Sequence, residues 1–278
     1  MKLSTSTEWL YFHLWKKNSQ TGASCPGVFL VDTIIYRWAQ PYFWYFTNRE
    51  GQIIRKTKER IDIQKAQDIF IYNVPQSGIV AQYLVSQNHN QQQQEVIQFE
   101  YFNEDQFNIF IHQREKNLNA ILQKFIQPKG GVNSLIKISW SPQFCLLYRK
   151  TNINKLDNTK VPMNERLCTF EGPEYLAIQD SITSPILSAD LEQICVNIVK
   201  HIQDISGGNI QISRMVLYFK LDDKNRLWLL FCTGLKVRER FQEYKELNTN
   251  TQQIPRMLSP IFKLQKTITK HIIQWEPQ

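Results

Sequence analysis

Residues 212–221 and 226–235 constrain this chain more than any other stretch. Each is a run of β-branched, aromatic and long aliphatic residues, and the four residues between them, Asp222-Asp223-Lys224-Asn225, are turn formers. Two such runs so closely spaced pair as an antiparallel hairpin. A fold built on that hairpin needs more strands, and helices to cover their apolar faces. The sequence offers both. Residues 42–47 and 52–57 flank Asn48-Arg49-Glu50-Gly51 as a second hairpin. Residues 79–86 and 95–102 read as strands joined by a polar loop that holds the tract Gln91 to Gln94, and residues 135–140 and 144–150 pair across Ser141-Pro142. Residues 69–74 read as a strand closed by Pro75.

Helical spacing appears in two strong stretches. Asn103 and Gln106 make a capping-box pair, and Phe107, Phe110, Ile111, Leu118, Ile121, Leu122 and Phe125 follow on one face until Pro128 and Gly130-Gly131 stop the helix. Ser188 caps the second, with Asp190 and Glu192 in the first turn. Leu191, Ile194, Cys195, Ile198, Val199, Ile202 and Ile205 form its stripe, and Gly207-Gly208 ends it. A weaker pattern, Val28, Val31, Ile35 and Trp38, predicts a helix ended by Pro41. Residues 8–15 fit a short helix or a strand, and residues 151–165 read as loop. The class is α+β: antiparallel β-hairpins packed with two main amphipathic helices, plus an extended or helical C-terminal segment. Three parts are expected: an aromatic-rich part over 1–103, an α+β core region over 104–240, and a linker with a partner-binding segment over 241–278.

Sixteen Phe, eleven Tyr and seven Trp in 278 residues supply ample core, which excludes a disordered chain. No apolar stretch is long enough for a signal peptide or a membrane span. The five cysteines, Cys25, Cys145, Cys168, Cys195 and Cys232, are odd in number and far apart, so reduced thiols are expected rather than a disulfide framework. Neither they nor the five histidines form the close pairs that zinc requires, and no catalytic Cys–His pair or phosphate loop is present. No cofactor, metal or catalytic residue is expected. The net charge is +8, distributed as +2 over residues 1–50, zero over 51–128 and +6 over 129–278. Arg214, Lys220, Lys224, Arg226, Lys236, Arg238 and Arg240 cluster in sequence about the last hairpin. Alternation along a strand puts Tyr218 and Lys220 on one face, and charge marks that face as exposed. Phe262 and Trp275 are apolar anchors in the C-terminal segment. RNA binding is a further alternative, with basic and aromatic residues interleaved but no RNA-binding signature.

Two resemblances enter here. The hairpin Met215-Val-Leu-Tyr-Phe-Lys-Leu-Asp222 with Arg226-Leu-Trp-Leu-Leu-Phe231 resembles the metal-binding hairpin of ATP-grasp ligases. Those carry Asp on the first strand and Glu with Asn at the end of the second. Asp222 matches the first, and Phe231-Cys232-Thr233 stands where the acid and amide belong, which implies a degenerate or active nucleotide-binding protein. Three blocks together, Leu122-Gln-Lys-Phe-Ile-Gln-Pro-Lys-Gly130, Cys168-Thr-Phe-Glu-Gly-Pro-Glu-Tyr175 and the last hairpin through Arg238, also resemble a poorly characterised group of ciliate and flagellate proteins associated with cilia. That resemblance implies a non-enzymatic structural component of the ciliary axoneme. Such a protein would dock its basic face on tubulin or other axonemal proteins, in a reducing cytoskeletal setting, with no membrane and no nucleic acid partner. This docking protein is the leading expectation.

Overall fold

In the computed structural model, residues 3–88 and 95–239 are described. The last hairpin is there: β11 (Ile210–Leu221) pairs antiparallel with β12 (Leu227–Glu239). Its turn is closed by Asp222 N–H to Arg226 O at 3.0 Å, and Asn225 takes the positive φ of 60° that the turn requires. β8 (Val132–Ser141) pairs with β11 and with β9 (Phe144–Lys155). β10 (Ala177–Ser181) forms one edge and the two-residue β1 (Phe29–Leu30) the other, so the first sheet runs β1-β12-β11-β8-β9-β10. The second sheet also has six strands. Its order is β4 (Ile53–Thr57), β3 (Gln40–Thr47), β2 (Thr33–Arg37), β7 (Asn119–Lys124), β5 (Ile79–Asn88) and β6 (Glu95–Asn103). All neighbours are antiparallel except β1 and β12. The α+β class holds, and the three expected hairpins and the 79–102 strand pair form.

Five α-helices cover these sheets among the described residues: α1 (Leu3–Trp15), α2 (Ile63–Ile71), α3 (Glu104–His112), α4 (Met163–Leu167) and α5 (Pro185–Ile205). α5 and α1 bury Leu191, Cys195, Ile198 and Ile202, with Leu10, Tyr11 and Leu14, against the first sheet. α2 and α3 cover the second sheet through Ala66, Phe70, Phe107 and Phe110. Between the sheets lies a third core of Leu84, Ile121, Leu135, Tyr218, Leu230 and Phe231. No described helix is long and apolar enough to cross a membrane.

Two expectations fail for one reason. Residues 28–38 are not a helix but β1 and β2, joined to β3 through Trp38 and Ala39 at φ of 50° and 61°. Residues 119–124, expected to continue the helix that begins at Asn103, are β7, while that helix stops at His112. Both β2 and β7 are buried on both faces, and such strands read as unbroken apolar runs that periodicity cannot separate from a helix. Conversely, the strand expected at 69–74 is the last turn of α2, which ends at Ile71, followed by a turn; Asp62 caps that helix by accepting from Lys65 N–H at 3.2 Å. The loop expected at 151–165 begins inside β9 and ends inside α4. The capping box at Asn103 and Gln106 is present, with bonds of 2.8 and 3.2 Å. The long helix starts one turn before Ser188, at Ser184, with Pro185 as its first residue. The boundary expected at 103/104 is crossed, since β7 sits between β2 and β5 and Met1–Phe241 form one unit. The glutamine tract, Arg240, Phe262, Trp275 and the linker and helix expected beyond 240 lie outside the described residues.

Candidate functional site

The basic residues about the last hairpin do not form one face. Arg214 and Lys236 are cross-strand partners, both exposed, with exposed Arg238 opposite Gln211. Lys224 and Arg226 are exposed at the turn beyond the end of β11, which lies seven residues, or about 23 Å, along the strand from Arg214. There Arg226 pairs with Asp222 at 3.4 Å and lies over Trp228. Lys220 is a correction: it is 2% exposed. Charge did not mark the outside because β11 is covered on both faces near its end, Phe219 packing with the α5 core and Tyr218 with the core between the sheets.

Lys220 anchors a buried polar cluster. Its Nζ donates to Asn133 Oδ1 at 2.9 Å and lies 4.1 Å from the centre of the Phe125 ring. Asn133 Nδ2 donates in turn to Leu167 O. The Tyr101 hydroxyl, on β6, donates to Leu167 O and to Glu171 Oε1 at 3.4 and 3.0 Å, and Thr169 Oγ1 donates to Glu171 Oε2 at 2.9 Å. Asn152, on β9, ties down the same segment through Glu165 O and Cys168 O at 2.7 and 2.8 Å. Burial pushes the Lys220 ammonium down to about 7, with the Glu171 charge opposing the shift. Burial, reinforced by Glu171, raises the Tyr101 phenol, and burial raises the Cys168 thiol.

Outside this cluster opens a cleft of about 770 Å³. One wall is the run Ile97 to Tyr101 of β6, and the other is drawn from residues 163–176. Glu100, Glu165 and Glu171 line it, with no Lys or Arg among the lining residues. Phe99, Tyr101 and Tyr175 add aromatic surface, Tyr175 being 75% exposed. Gly172 makes the second wall possible: a Cβ there would stand 2.4 Å from Cys168 Cβ and 2.6 Å from its Sγ. The sequence block from Cys168 to Tyr175 forms much of this wall, but its spacing carried no sign of a site.

The hairpin's ATP-grasp resemblance is tested by the same geometry. The Asp222 carboxylate is consumed by its own turn, accepting from Lys224 N at 2.9 Å, Arg226 N at 2.7 Å and Trp228 Nε1 at 2.9 Å. Phe231 stacks on Tyr218, ring centres 4.5 Å apart, and meets Phe99 edge-on at 5.7 Å. Where a divalent cation would need oxygens, the chain packs aromatic rings. Among the described residues no three of His, Cys, Asp and Glu group to hold a metal. Cys195 is fully buried in the α5 core and Cys232 in β12; His201 is buried too, with Nε2 3.0 Å from Lys16 O just past the end of α1.

No protein-family model and no curated relative matches the chain. Solved structures do. The chain is similar to the D-alanyl-alanine synthetase A of Vibrio cholerae, at 10% identity and a TM-score of 0.38, over 74% of this chain and 50% of that one. It is similar to a Chryseobacterium gregarium RiPP-associated ATP-grasp ligase in complex with ADP and a leader and core peptide, at 10% identity and a TM-score of 0.36, over 81% and 53%. It is also similar to the D-alanine-D-alanine ligase of Coxiella burnetii, at 9% identity and a TM-score of 0.37, over 82% and 46%. The chain thus spans about half the length of these structures. At such identities and TM-scores no residue role passes from them to this chain. The leading expectation is corrected to this extent: the solved structures similar to the chain are ligases and synthetases, and the axonemal docking protein and the non-enzymatic assignment are not carried forward.

Proposed function

We propose that the chain is an ATP-grasp-like binding protein whose ligand enters the cleft between β6 and residues 163–176. The observation that carries this reading is the cleft itself: its volume falls within the usual range for ligand sites, and it lies over a buried, hydrogen-bonded polar cluster that fixes its walls. The chemistry of the walls selects a ligand that donates hydrogen bonds and carries positive charge. A triphosphate would meet the carboxylates of Glu165 and Glu171, and of Glu100 paired with Arg114, with no lysine or arginine among the lining residues. The hairpin supplies none of the free oxygens that would bring a metal to neutralise it.

The test is thermal unfolding of the full chain at low salt, with argininamide as cationic probe and with ATP, each with and without magnesium. Argininamide raises the melting temperature, and substitution of Glu165 and Glu171 by Gln removes that rise while ATP gives none. A rise with magnesium–ATP and none with argininamide would replace this reading by nucleotide binding.

A further inference from the structure

β6 ends the second sheet, and β5 is its one hydrogen-bonded strand neighbour among the described residues. In an antiparallel edge strand every second residue turns its N–H and C=O away from the sheet, and that side is a template for another strand. The outer side of β6 faces the cleft. A strand that showed a cavity only one of its faces would contribute alternate residues, whereas five successive residues, Ile97 to Tyr101, line this one.

The stretch Ile-Gln-Phe-Glu-Tyr has no proline and no lysine, and its pairing with β5 runs from Ala81/Phe102 to Asn88/Glu95 without a bulge. The edge strand at the other end of the same sheet, β4, carries Arg55 and Lys56, and β1 is two residues long. Those are the usual protections of an edge, and β6 lacks them. A strand laid along Ile97 to Tyr101 would extend about 16 Å. Its side chains on the cleft side would meet Glu165 and Glu171, with Phe99, Tyr101 and Tyr175 offering ring faces to a cation. Glu100 already accepts from Arg114 at 2.5 Å, and Glu171 from Tyr101 and Thr169, so these carboxylates are oriented before a ligand arrives.

We infer that the cleft ligand is an extended peptide rich in lysine or arginine, which binds as a seventh strand on β6 with its basic side chains toward Glu165 and Glu171. This rests on the cleft being the ligand site. Main-chain bonds to β6 would supply affinity, and the acidic wall would supply the choice of partner.

The probe is a labelled octapeptide alternating lysine and valine, titrated into the full-length chain and followed by fluorescence anisotropy. Two control peptides accompany it, one N-methylated at alternate backbone nitrogens and one with glutamate for lysine. The parent peptide binds, N-methylation weakens it at least tenfold with the charge unchanged, and the glutamate peptide does not bind. Glu165→Lys, at an exposed position, lowers affinity several-fold while the melting temperature holds. Equal binding of the N-methylated peptide would overturn strand addition and leave the cleft reading intact. Failure of both peptides together with argininamide would overturn the cleft reading as well. Binding indifferent to Glu165→Lys would place the peptide elsewhere and overturn the proposal.

Discussion

Two buried polar clusters lie between the sheets, and they are built on opposite terms. In the first, Tyr11 of α1 donates to Leu230 O at 2.6 Å, and Gln123 of β7 donates to Leu230 O and to Thr33 Oγ1 at 2.6 and 3.0 Å. Gln82 of β5 donates to Gln123 Oε1 at 3.0 Å. Every member is neutral, and none is more than 3% exposed. It stitches α1 and the second sheet to the backbone of β12 and opens to nothing. In the second cluster a lysine faces an asparagine, a tyrosine and a glutamate, and its outer members, Tyr101 and Glu171, line the cleft. Uncharged networks whose groups are all paired specify how elements dock; a buried charge beside an opening is retained at a cost that docking alone does not explain. The difference supports the proposed site on the Tyr101 side of the molecule.

Breaking the first cluster carries the largest expected effect. Gln123→Ala removes three hydrogen bonds and opens a cavity at the sheet interface, with a loss of about 3–4 kcal/mol in urea unfolding. Cleft binding by the protein that remains folded is unchanged, because no member of this cluster lines the cleft. A loss of binding without a loss of stability would invert the comparison.

The second cluster is tested by pH. The unfolded chain holds the Lys220 proton up to its ordinary value near 10.5, the folded chain only to about 7. Between those values the unfolded state binds more protons, so this residue makes stability rise with pH, by at most about 1.4 kcal/mol for each unit. Below about 7 both states are protonated, and the folded chain bears the whole cost of the buried charge. Lys220→Met leaves Asn133 Oδ1 without this donor but removes the slope. Relative to the native chain, the variant is therefore most favoured near pH 6 and loses ground toward about pH 8.5, and the thiols that begin to titrate there are common to both chains. Parallel curves would mean that Lys220 keeps its ordinary proton affinity.

Gly172→Ala sharpens the comparison from the cleft side. The new Cβ would collide with Cys168 Cβ and Sγ, so the 168–173 turn must shift at a cost of about 1–3 kcal/mol. Argininamide binding falls with it, while the first cluster, distant in the fold, is left untouched.

How much of this was legible depends on the side chains in question. The 222–225 turn, the Asn103 capping box and the α5 stripe are local signals, and local signals survive in sequence. β2 and β7 were hidden because their neighbours on both faces come from elsewhere in the chain, so no alternation marks them. Lys220 misled for the same reason: alternation predicts which residues share a face but not whether that face is wet. Tyr101, Asn133 and Glu171 are far apart in sequence and meet only through the pairing of two sheets with the 163–176 segment, so no spacing reveals them. The match of Asp222 to the metal-binding Asp of ATP-grasp ligases came from the resemblance of its hairpin, and the turn explains that residue without a metal.

That last point gives the smallest expected effect. Asp222→Ala strips acceptors from two backbone N–H groups and from the Trp228 indole, a loss of about 1–2 kcal/mol in urea unfolding. Asp222→Asn keeps the Oδ1 acceptor that holds the Lys224 and Arg226 N–H groups, and so recovers part of that loss, which a metal ligand deprived of its charge would not do. Magnesium, with or without ATP, leaves native and Asp222→Ala melting temperatures equally unmoved, since the carboxylate is occupied within its own turn and Phe231 fills the space beside Tyr218. A magnesium-dependent rise in the native chain that vanishes in Asp222→Ala would reverse the argument. The hairpin would then be the chemical centre, and the cleft beside Tyr101 a secondary feature of the same fold.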